Sequence, residues 1–289
     1  MKPAPFDYHA PTSVDEATEL LAKLADDAKV IAGGQSLVPL LSLRLVRVDH
    51  LIDLNRIEAL AGITEGEQVE IGACSRHGVV ESSPFVRSQI PLVSDALSFV
   101  GHRAIRNRGT IGGSIAHADP AAELPAALLA LDGSVMVRNT AGEREIQASD
   151  LFTGFLSTSL EPDEILTHVR FPRWDEGTGW SVQEFARRSG DFALAGVMTV
   201  LGLGADGKIA KARVALFGVA SAAVRAEAAE ELLVGELPSA ELWSEAAERV
   251  AAGIDPPSDL HGSSAYRRQL AKALVRRSLQ ESATRLGAA

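Results

Sequence analysis

The chain has 289 residues, of which 46% are hydrophobic and 23% charged, so it can bury a large core and form two or three domains. Its formal charge of −10 at pH 7 excludes a general affinity for nucleic acids or anionic membranes, because both require a dense basic surface. No stretch approaches the roughly 18 uninterrupted apolar residues of a membrane-spanning helix, and no signal-peptide apolar region follows the first residues, so a cytoplasmic location is expected.

Cys74 is the only cysteine. A single thiol cannot form an intrachain disulfide, and iron–sulfur clusters are usually held by four thiolates. Any such cluster is therefore expected in a partner of this chain.

The first part of the chain mixes strands and helices. Ser13 followed by Glu16 forms a capping box, and apolar residues then recur at helical spacing, which predicts a helix over residues 14–25. Further predicted elements are strands over 29–32, 51–54 and 69–73, helices over 92–99 and 121–131, and a hairpin of strands 134–138 and 144–146 around 139–142.

Beyond about Trp174 the pattern changes, and the glycine-rich residues 176–179 predict a linker to a second unit. Apolar and small or polar residues alternate over 197–203 and 209–219, around the turn residues 205–207, which predicts an antiparallel hairpin. The remaining predicted elements are helices over 222–234, 239–252 and 263–285.

Two short glycine-centred segments follow runs of strand-forming or apolar residues. The first consists of Ala32, Gly33, Gly34, Gln35 and Ser36, and the second of Thr110, Ile111, Gly112, Gly113 and Ser114. A glycine pair can adopt positive φ and lets consecutive N–H groups converge on an anion with no Cβ in the way. Each segment also ends in a serine hydroxyl that can donate a hydrogen bond. Together they predict a diphosphate held from both sides, as in a dinucleotide cofactor.

Other kinds of site lack their sequence signals. Neither segment is the Gly-x-Gly-x-x-Gly of a Rossmann site, and neither has the lysine of a phosphate-binding loop. There is no His-x-x-x-His or Cys-x-x-Cys metal spacing and no Gly-x-Ser-x-Gly nucleophile turn. We therefore expect the chemistry to reside in a bound organic cofactor, with no catalytic or metal-ligating residue in this chain. For either glycine pair taken alone, a plain tight turn is the alternative.

Longer motifs surround the two glycine segments: VIAGGQSLVPLL at 30–41 and AIRNRGTIGGSIAHADPAAE at 104–123. They resemble the two FAD-binding signatures of the flavoprotein subunit of molybdenum hydroxylases. That family includes the medium subunit of aerobic carbon monoxide dehydrogenase and the flavin domain of xanthine dehydrogenase. The resemblance extends over the whole chain, through PFDY at 5–8, EPDEIL at 161–166 and RRSGDFA at 187–193.

The resemblance implies an α+β fold with two domains. Residues 1–175 would form a two-part FAD-binding domain of the PCMH type, with subdomains of about 1–56 and 57–175. Residues 176–289 would form a C-terminal flavoprotein domain of three antiparallel strands flanked by helices.

The resemblance also implies which residues contact FAD: Ala32, Gly33, Gly34, Gln35, Ser36, Leu37, Thr110, Ile111, Gly112, Gly113, Ser114, Asp119, Glu123, Leu166, Asp191 and Phe192. Glu123 matches an acidic residue that hydrogen-bonds the nucleotide, with Asp119 as the competing candidate. A helix N-cap is the alternative role for Asp119, and a core position is the alternative for Leu166, which otherwise lies against the isoalloxazine. Asp191 and Phe192 match a region that approaches the flavin ring.

Two arginines flank the second glycine segment. Arg106 and Arg108 are either phosphate neighbours or solvated loop residues.

The implied function is electron transfer within a molybdenum hydroxylase. A large subunit with the molybdenum cofactor would oxidise the substrate, a small subunit would carry two [2Fe-2S] clusters, and FAD in this chain would pass electrons to an external acceptor such as a quinone or NAD. Carbon monoxide is the first expected substrate of the complex, and aldehydes, purines and N-heterocycles are alternatives. The family-typical assembly is a dimer of three-subunit units. A stand-alone flavin oxidoreductase and a dinucleotide-sensing or scaffold protein are the other two hypotheses.

Overall fold

The structure is a computed structural model that describes residues 1–175 and 177–287. Its strands are β1 (Asp7–His9), β2 (Ala28–Ile31), β3 (His50–Asp53), β4 (Ile63–Glu65), β5 (Gln68–Gly72), β6 (Ser134–Asn139), β7 (Gly142–Gln147), β8 (Phe152–Gly154), β9 (Ser157–Thr158), β10 (Ile165–Pro172), β11 (Thr178–Phe185), β12 (Ala195–Leu203), β13 (Ile209–Phe217) and β14 (Val224–Arg225). Its helices are α1 (Val14–Leu24), α2 (Leu37–Leu43), α3 (His77–Ser82), α4 (Pro84–Gln89), α5 (Pro91–Phe99), α6 (Arg103–Arg106), α7 (Ile111–His117), α8 (Glu123–Ala130), α9 (Ala148–Leu151), α10 (Glu227–Leu233), α11 (Ala240–Gly253) and α12 (Ser264–Arg285).

Helix α1 begins as its sequence predicts. The Ser13 hydroxyl accepts the N–H of Glu16 at 3.1 Å, and the Glu16 carboxylate accepts the N–H of Thr12 at 2.8 Å. Ala17 and Leu21, one turn apart, are both buried. The predicted helix is confirmed, and it packs on the first sheet and on β6.

A parallel three-stranded sheet of order β1-β3-β2 opens the fold. Its strands run in the same direction, and Ile31 at the end of β2 pairs with Asp53 at the end of β3. The segments that follow β2 and β3 therefore emerge at the same edge of the sheet. This edge carries the first glycine segment.

A five-stranded antiparallel sheet of order β4-β5-β10-β6-β7 follows. Helix α7 packs against β5 and β10, and α8 packs against α5 and α7. All eight residues of α8 are buried, as expected for a helix enclosed between layers. The helix predicted over 121–131 begins only at Glu123, because the Asp119 carboxylate binds the N–H of Ala121 in a turn ahead of it.

The C-terminal part is an antiparallel sheet of order β11-β12-β13-β14 with helices α10, α11 and α12. Both faces of its strand β12 are buried. Met198 and Val200 belong to the core shared with α8, whereas Val197 and Leu201 belong to the core shared with α11 and α12. The α+β class with three long antiparallel strands flanked by helices is confirmed, and a two-residue fourth strand, β14, is added at the edge.

Two predicted boundaries in this part are wrong. Gly179 of the predicted linker lies inside β11, where a Cβ would lie 2.0 Å from the Ser282 carbonyl oxygen on α12. Glu176, the first residue of the predicted linker, lies outside the described residues. The helix predicted over 222–234 is shortened to α10, because Val224 and Arg225 pair with β13 as β14. In both places the tertiary packing overrides the local pattern.

Among the described residues, no helix is long and apolar enough to span a bilayer.

Candidate cofactor site

A cavity of about 460 Å³ opens at the edge where β2 and β3 end. It is lined by Ile31, Ala32, Gly33, Gly34, Gln35, Val38, Pro39, Asp53, Asn55 and Arg108. The chain thus brings the first glycine segment together with the residues that follow β3 and with an arginine from the second glycine motif.

The two glycines of the first segment serve different purposes. Gly34 has φ +71°, a conformation that favours glycine. Gly33 does not have positive φ; a Cβ there would lie 2.5 Å from the Arg108 carbonyl oxygen and 2.8 Å from the Gly109 Cα. A glycine is therefore required at residue 33 because the second motif approaches it closely. The positive φ that the sequence predicts for Gly33 is wrong.

The backbone of the first segment has donors to offer a ligand. Within residues 1–175 and 177–287, the N–H groups of residues 33–36 donate to no other group, and the Gln35 side chain only donates to the Gly33 carbonyl at 3.1 Å. Successive free amides at a cavity wall form an anion-binding surface. This arrangement fits a phosphate group.

The second segment differs from the predicted cradle. Thr110 is the N-cap of α7, and Gly112 and Gly113 lie in the first turn of that helix without positive φ. Their N–H groups already have acceptors: Gly112 donates to the Ala73 carbonyl at 2.9 Å and Gly113 to the Thr110 hydroxyl at 3.2 Å.

Packing explains the two helical glycines. A Cβ on Gly112 would lie 2.5 Å from the Ala73 Cβ, and one on Gly113 would lie 2.5 Å from the Thr110 hydroxyl oxygen. Gly112 therefore allows α7 to pack closely on the loop after β5, and Gly113 leaves room for the Thr110 hydroxyl that caps the same helix. The N–H groups of residues 111–114 all donate within the described chain, so they do not form the predicted set of amides converging on an anion; Ser114 itself is half-buried.

Arg76 and Asn55 join the two glycine motifs. The Arg76 guanidinium donates to the Arg108 carbonyl and to the Asn55 side-chain oxygen, both at 2.5 Å, and the Asn55 amide donates to the Ala32 carbonyl at 2.8 Å. This chain of bonds runs from one motif to the other. Sequence reasoning missed both residues, although Asn55 could be found from its position just after a strand that ends at the glycine edge.

The buried side chain of His77 binds the backbone of the second motif. Its Nε2 lies 2.8 Å from the Thr110 carbonyl, which can only accept, so Nε2 carries the proton. Burial lowers the pKa of His77 to about 4, so the ring is neutral at pH 7. No sequence signal marked this residue.

The two flanking arginines have different environments. Arg106 pairs with Glu81 at 2.7 Å and also donates to the carbonyls of Val100 and Gly101, so it is already engaged away from the cavity. Arg108 lines the cavity. The phosphate-neighbour interpretation is therefore retained for Arg108 and dropped for Arg106.

The acidic candidates lie near the start of α8. Asp119 is half-buried and binds the Ala121 N–H at 2.9 Å, while Glu123 is 7% exposed. Burial, with a smaller contribution from the charge of Asp119, raises the pKa of Glu123 to about 7. The sequence did not single out Glu184 on β11. Burial and then Glu123 raise the pKa of Glu184 to about 8.

The remaining candidates lie on β10 and on the loop between β11 and β12. Leu166 is 5% exposed and belongs to the core that α8 shares with β12. A core position is the alternative that the sequence analysis left open for it. Asp191 and Phe192 are exposed on the loop, and a Cβ on the neighbouring Gly190 would lie 2.5 Å from the His102 ring. The loop therefore contacts the chain just before the second glycine motif.

The structure shows no metal centre among its described residues, in which no group of three His, Cys, Asp or Glu side chains could hold an ion. Cys74 is buried, and burial raises the pKa of its thiol to about 11. Cys74 is thus a core residue.

Family comparison accounts for both parts of the chain. Residues 4–174 match the family described as the FAD binding domain in molybdopterin dehydrogenase, and residues 180–282 match the CO dehydrogenase flavoprotein C-terminal domain. The chain belongs to the FAD-binding medium subunits of molybdenum hydroxylases. It is an oxidoreductase subunit of a molybdenum-dependent dehydrogenase complex.

Individual medium subunits and their structures are similar over nearly the full chain. The 6-hydroxypseudooxynicotine dehydrogenase complex subunit alpha of Paenarthrobacter nicotinovorans is 42% identical, covering 96% of this chain and 95% of that protein. A structure of carbon monoxide dehydrogenase from Hydrogenophaga pseudoflava superposes with a TM-score of 0.96 at 40% identity, covering 99% of both chains. Quinoline 2-oxidoreductase from Pseudomonas putida 86 gives 0.93 at 38% identity, with 99% of both chains covered.

The cavity of this medium subunit fits the diphosphate of FAD. Free amides line it at residues 33–35, the positively charged residue Arg108 is part of its lining, and the site of a Gly33 Cβ is filled by the second motif.

Proposed function

We propose that this chain binds FAD and passes electrons from the iron–sulfur clusters of a partner subunit to an external acceptor. The observation that carries the proposal is the cavity between the two glycine motifs, in a chain whose two domains both match flavoprotein families. FAD, when bound, supplies the redox chemistry: it accepts electrons from one-electron carriers and delivers them to the acceptor.

The residues of this chain bind and orient the cofactor. The free amides of residues 33–36 and the guanidinium of Arg108 would hold the diphosphate. Ser114, which is half-buried, would add a hydroxyl group from the second motif, whereas Thr110 is 2% exposed and its hydroxyl caps α7. Glu123 would hydrogen-bond the nucleotide. Hydrogen bonds of Arg76 and Asn55 connect the two motifs, so the diphosphate would bind to a preformed site. Binding would then not include the entropy cost of ordering the two motifs.

The C-terminal domain would act at the flavin end. The exposed ring of Phe192 and the carboxylate of Asp191 lie on a loop that contacts His102 of the FAD-binding domain. An aromatic side chain beside a charged group can control access to the ring system and adjust its potential. We assign these two residues that role.

The substrate is oxidised in another subunit. Similar chains belong to enzymes named for 6-hydroxypseudooxynicotine, carbon monoxide and quinoline, so one flavoprotein fold serves different substrates. We propose a large molybdenum subunit and a small two-cluster [2Fe-2S] subunit as partners, and a substrate that is either carbon monoxide or an N-heterocycle.

The test compares the purified chain with the chain assembled with its two partners. Visible spectra are recorded before and after anaerobic addition of carbon monoxide, quinoline or a hydroxylated nicotine derivative. We expect the visible absorbance of an oxidised flavin in both samples. One of these substrates should bleach this absorbance only in the assembled complex. Reoxidation by a quinone or by NAD then identifies the class of acceptor.

Other outcomes favour the alternative hypotheses. Bleaching by substrate in the isolated chain would make it a stand-alone flavin oxidoreductase. Flavin binding with no electron flow in any assembly would point to a sensing or scaffold role. A complex that contains both partners but no flavin would contradict the proposal.

A further inference from the structure

The cavity at the ends of β2 and β3 is lined by groups of opposite chemistry. Among the described residues, the N–H groups of residues 33–35 donate to no other group, and Arg108 is part of the lining. The lining also includes Asp53, the last residue of β3. A carboxylate placed against a diphosphate repels it. The part of a ligand that meets Asp53 must therefore be a hydrogen-bond donor.

Strand pairing and a shared donor place the Asp53 carboxylate beside the first glycine segment. Strands β2 and β3 are parallel, and Asp53 pairs with Ile31, the last residue of β2. The side-chain nitrogen of Asn55 donates to the Asp53 Oδ1 atom at 2.5 Å and to the Ala32 carbonyl at 2.8 Å. A single nitrogen thus bridges the carboxylate and the backbone just ahead of the two glycines.

Two further donors orient the carboxylate. The backbone N–H of Asn55 donates to Oδ1 of Asp53 at 2.9 Å, and the hydroxyl of Tyr8 on β1 donates to Oδ2 at 2.5 Å. The hydrogen bond to Asp53, followed by burial and by the charge of Asp53, raises the pKa of Tyr8. The Tyr8 phenol therefore keeps its proton, and remains a donor, at neutral pH.

The carboxylate keeps one acceptor position for a ligand. An ionised carboxylate can accept about four hydrogen bonds, two at each oxygen. Within the described part of the chain, Oδ1 of Asp53 accepts two hydrogen bonds and Oδ2 accepts only that of Tyr8. Oδ2 can therefore accept one more, and a hydrogen bond to a charged oxygen is stronger than one between neutral groups.

A dinucleotide offers a donor of the required kind. In FAD the diphosphate joins the ribose of the adenosine half to the ribitol of the flavin half, and both sugars carry hydroxyl groups near the phosphates. An acidic residue after one strand of a parallel sheet binds a ribose hydroxyl in Rossmann sites, where the neighbouring strand leads into the glycine-rich turn. Asp53 has the same relation to the first glycine segment without the Rossmann motif. The cavity of about 460 Å³ exceeds the volume of a diphosphate alone.

We propose that Asp53 is a specificity-determining residue of the cofactor site, whose Oδ2 atom accepts a hydrogen bond from a sugar hydroxyl next to the diphosphate. Tyr8 is the positioning residue that orients this carboxylate. The inference rests on the proposed FAD-binding function. It adds recognition of a sugar to the recognition of phosphate by the free amides and Arg108.

The test measures binding to complexes of this chain with its partners from which the flavin has been removed. FAD is titrated by flavin fluorescence, and inorganic pyrophosphate by competition with FAD. Asp53→Asn replaces the charged acceptor by a neutral one, so the FAD dissociation constant should rise about tenfold. The dissociation constant of pyrophosphate should not rise, because pyrophosphate has no hydroxyl group and loses a repelling charge.

Tyr8→Phe provides a second variant with the carboxylate intact. It removes only the hydroxyl that orients Oδ2 of Asp53. The FAD dissociation constant should rise about threefold, again with no rise for pyrophosphate. This variant alone is sufficient for the test if Asp53→Asn does not assemble with the partners.

Two fragments of FAD identify the sugar that Asp53 binds. ADP contains the ribose, and FMN contains the ribitol. Weaker binding of ADP but not of FMN to Asp53→Asn would assign the hydroxyl to the ribose. Weaker binding of FMN but not of ADP would assign it to the ribitol.

Asp49→Asn is the matched control. It removes an exposed carboxylate just before β3, at the other end of the same strand, and should follow the wild type with every ligand. An FAD dissociation constant that does not rise in Asp53→Asn or in Tyr8→Phe would overturn the proposal. So would an equal loss of affinity for FAD and pyrophosphate, which indicates a purely structural role. Both results leave FAD binding by the wild type established, whereas a wild-type complex that binds no FAD would contradict the proposed function itself.

Discussion

At the scale of single residues, the site depends on positions where no side chain fits. Gly33 lies against the Arg108 carbonyl and the Gly109 Cα, and Gly112 against Ala73. The Gly33 contacts are with backbone atoms, and those of Gly112 are with the backbone and the Cβ of an alanine, so neither set can be relieved by moving a flexible side chain.

Gly33→Val should therefore abolish FAD retention. A β-branched side chain at this position would separate the two motifs and obstruct the free amides, at a strain cost of about 1–3 kcal/mol from overpacking. FAD content per protein, measured after gel filtration, checks this. Gly154→Ala, at a glycine whose Cβ would meet no atom within 4 Å, is the control and should keep its flavin. Full occupancy in Gly33→Val would contradict the assigned site.

Arg76 is the residue whose side chain does most to connect the motifs. Arg76→Met removes both hydrogen bonds while keeping much of the side-chain length, so we expect an FAD dissociation constant raised about tenfold and a stability loss of about 1–2 kcal/mol. Fluorescence titration and urea unfolding measure the two effects. Arg87→Met, at an exposed arginine of α4, should change neither.

At the scale of elements, the second motif is held by its connection to the sheet. Helix α7 begins at Ile111, whose N–H donates to the Ser75 carbonyl, and His77 binds the Thr110 carbonyl at the N-cap. A neutral, buried imidazole is part of this anchor. Protonation of His77 at low pH should therefore weaken the attachment of α7 to the sheet.

The direction of this pH effect follows from the pKa of His77. Its folded value of about 4 lies below the ordinary 6.5, so the stability it contributes is present above pH 6.5 and is lost as the pH falls toward 4. The loss is on the order of 3 kcal/mol at the acidic end. In His77→Gln, which keeps a side-chain N–H and cannot be protonated, urea unfolding should be less pH-dependent between 6.5 and 4. An unchanged slope would exclude a buried neutral His77.

At the scale of the whole molecule, the C-terminal sheet unites two cores. Alternate residues of β12 face the FAD-binding domain and the C-terminal helices, so the sheet cannot separate from α8 without exposing Met198 and Val200. Polar contacts add to this: Trp180 on β11 donates to Asp95 on α5 at 2.8 Å, and Arg285 lies 4.4 Å from the Trp180 ring.

Asp95→Ala tests whether the two domains unfold together. It removes the acceptor of Trp180 and Arg285, so we expect a loss of about 1–2 kcal/mol with a single cooperative transition in both tryptophan fluorescence and circular dichroism. Asp255→Ala, which removes a fully exposed carboxylate 3.9 Å from Arg268, should be neutral. Two separated transitions in Asp95→Ala would show that the domains are independent.

Motifs and patterns along the sequence were sufficient to predict the family of this protein and several of its helices. The two glycine motifs with their flanking residues identified the family. A capping box and apolar periodicity predicted α1, and the sequence also predicted α5, α11 and α12 nearly to their ends. The domain limits of 1–175 and 176–289, with a division near residue 56, and the full set of FAD contacts stay predictions.

Contacts between distant parts of the chain were decided only by the tertiary structure. The sequence determined that glycines stand at both motifs, but the fold decided that Gly33 makes room for Arg108 and that the amides of Gly112 and Gly113 are already bonded. It also brought Arg76 to Asn55. Motifs and periodicity report the neighbours of a residue along the chain, whereas burial and hydrogen-bond partners depend on the path that the whole chain takes.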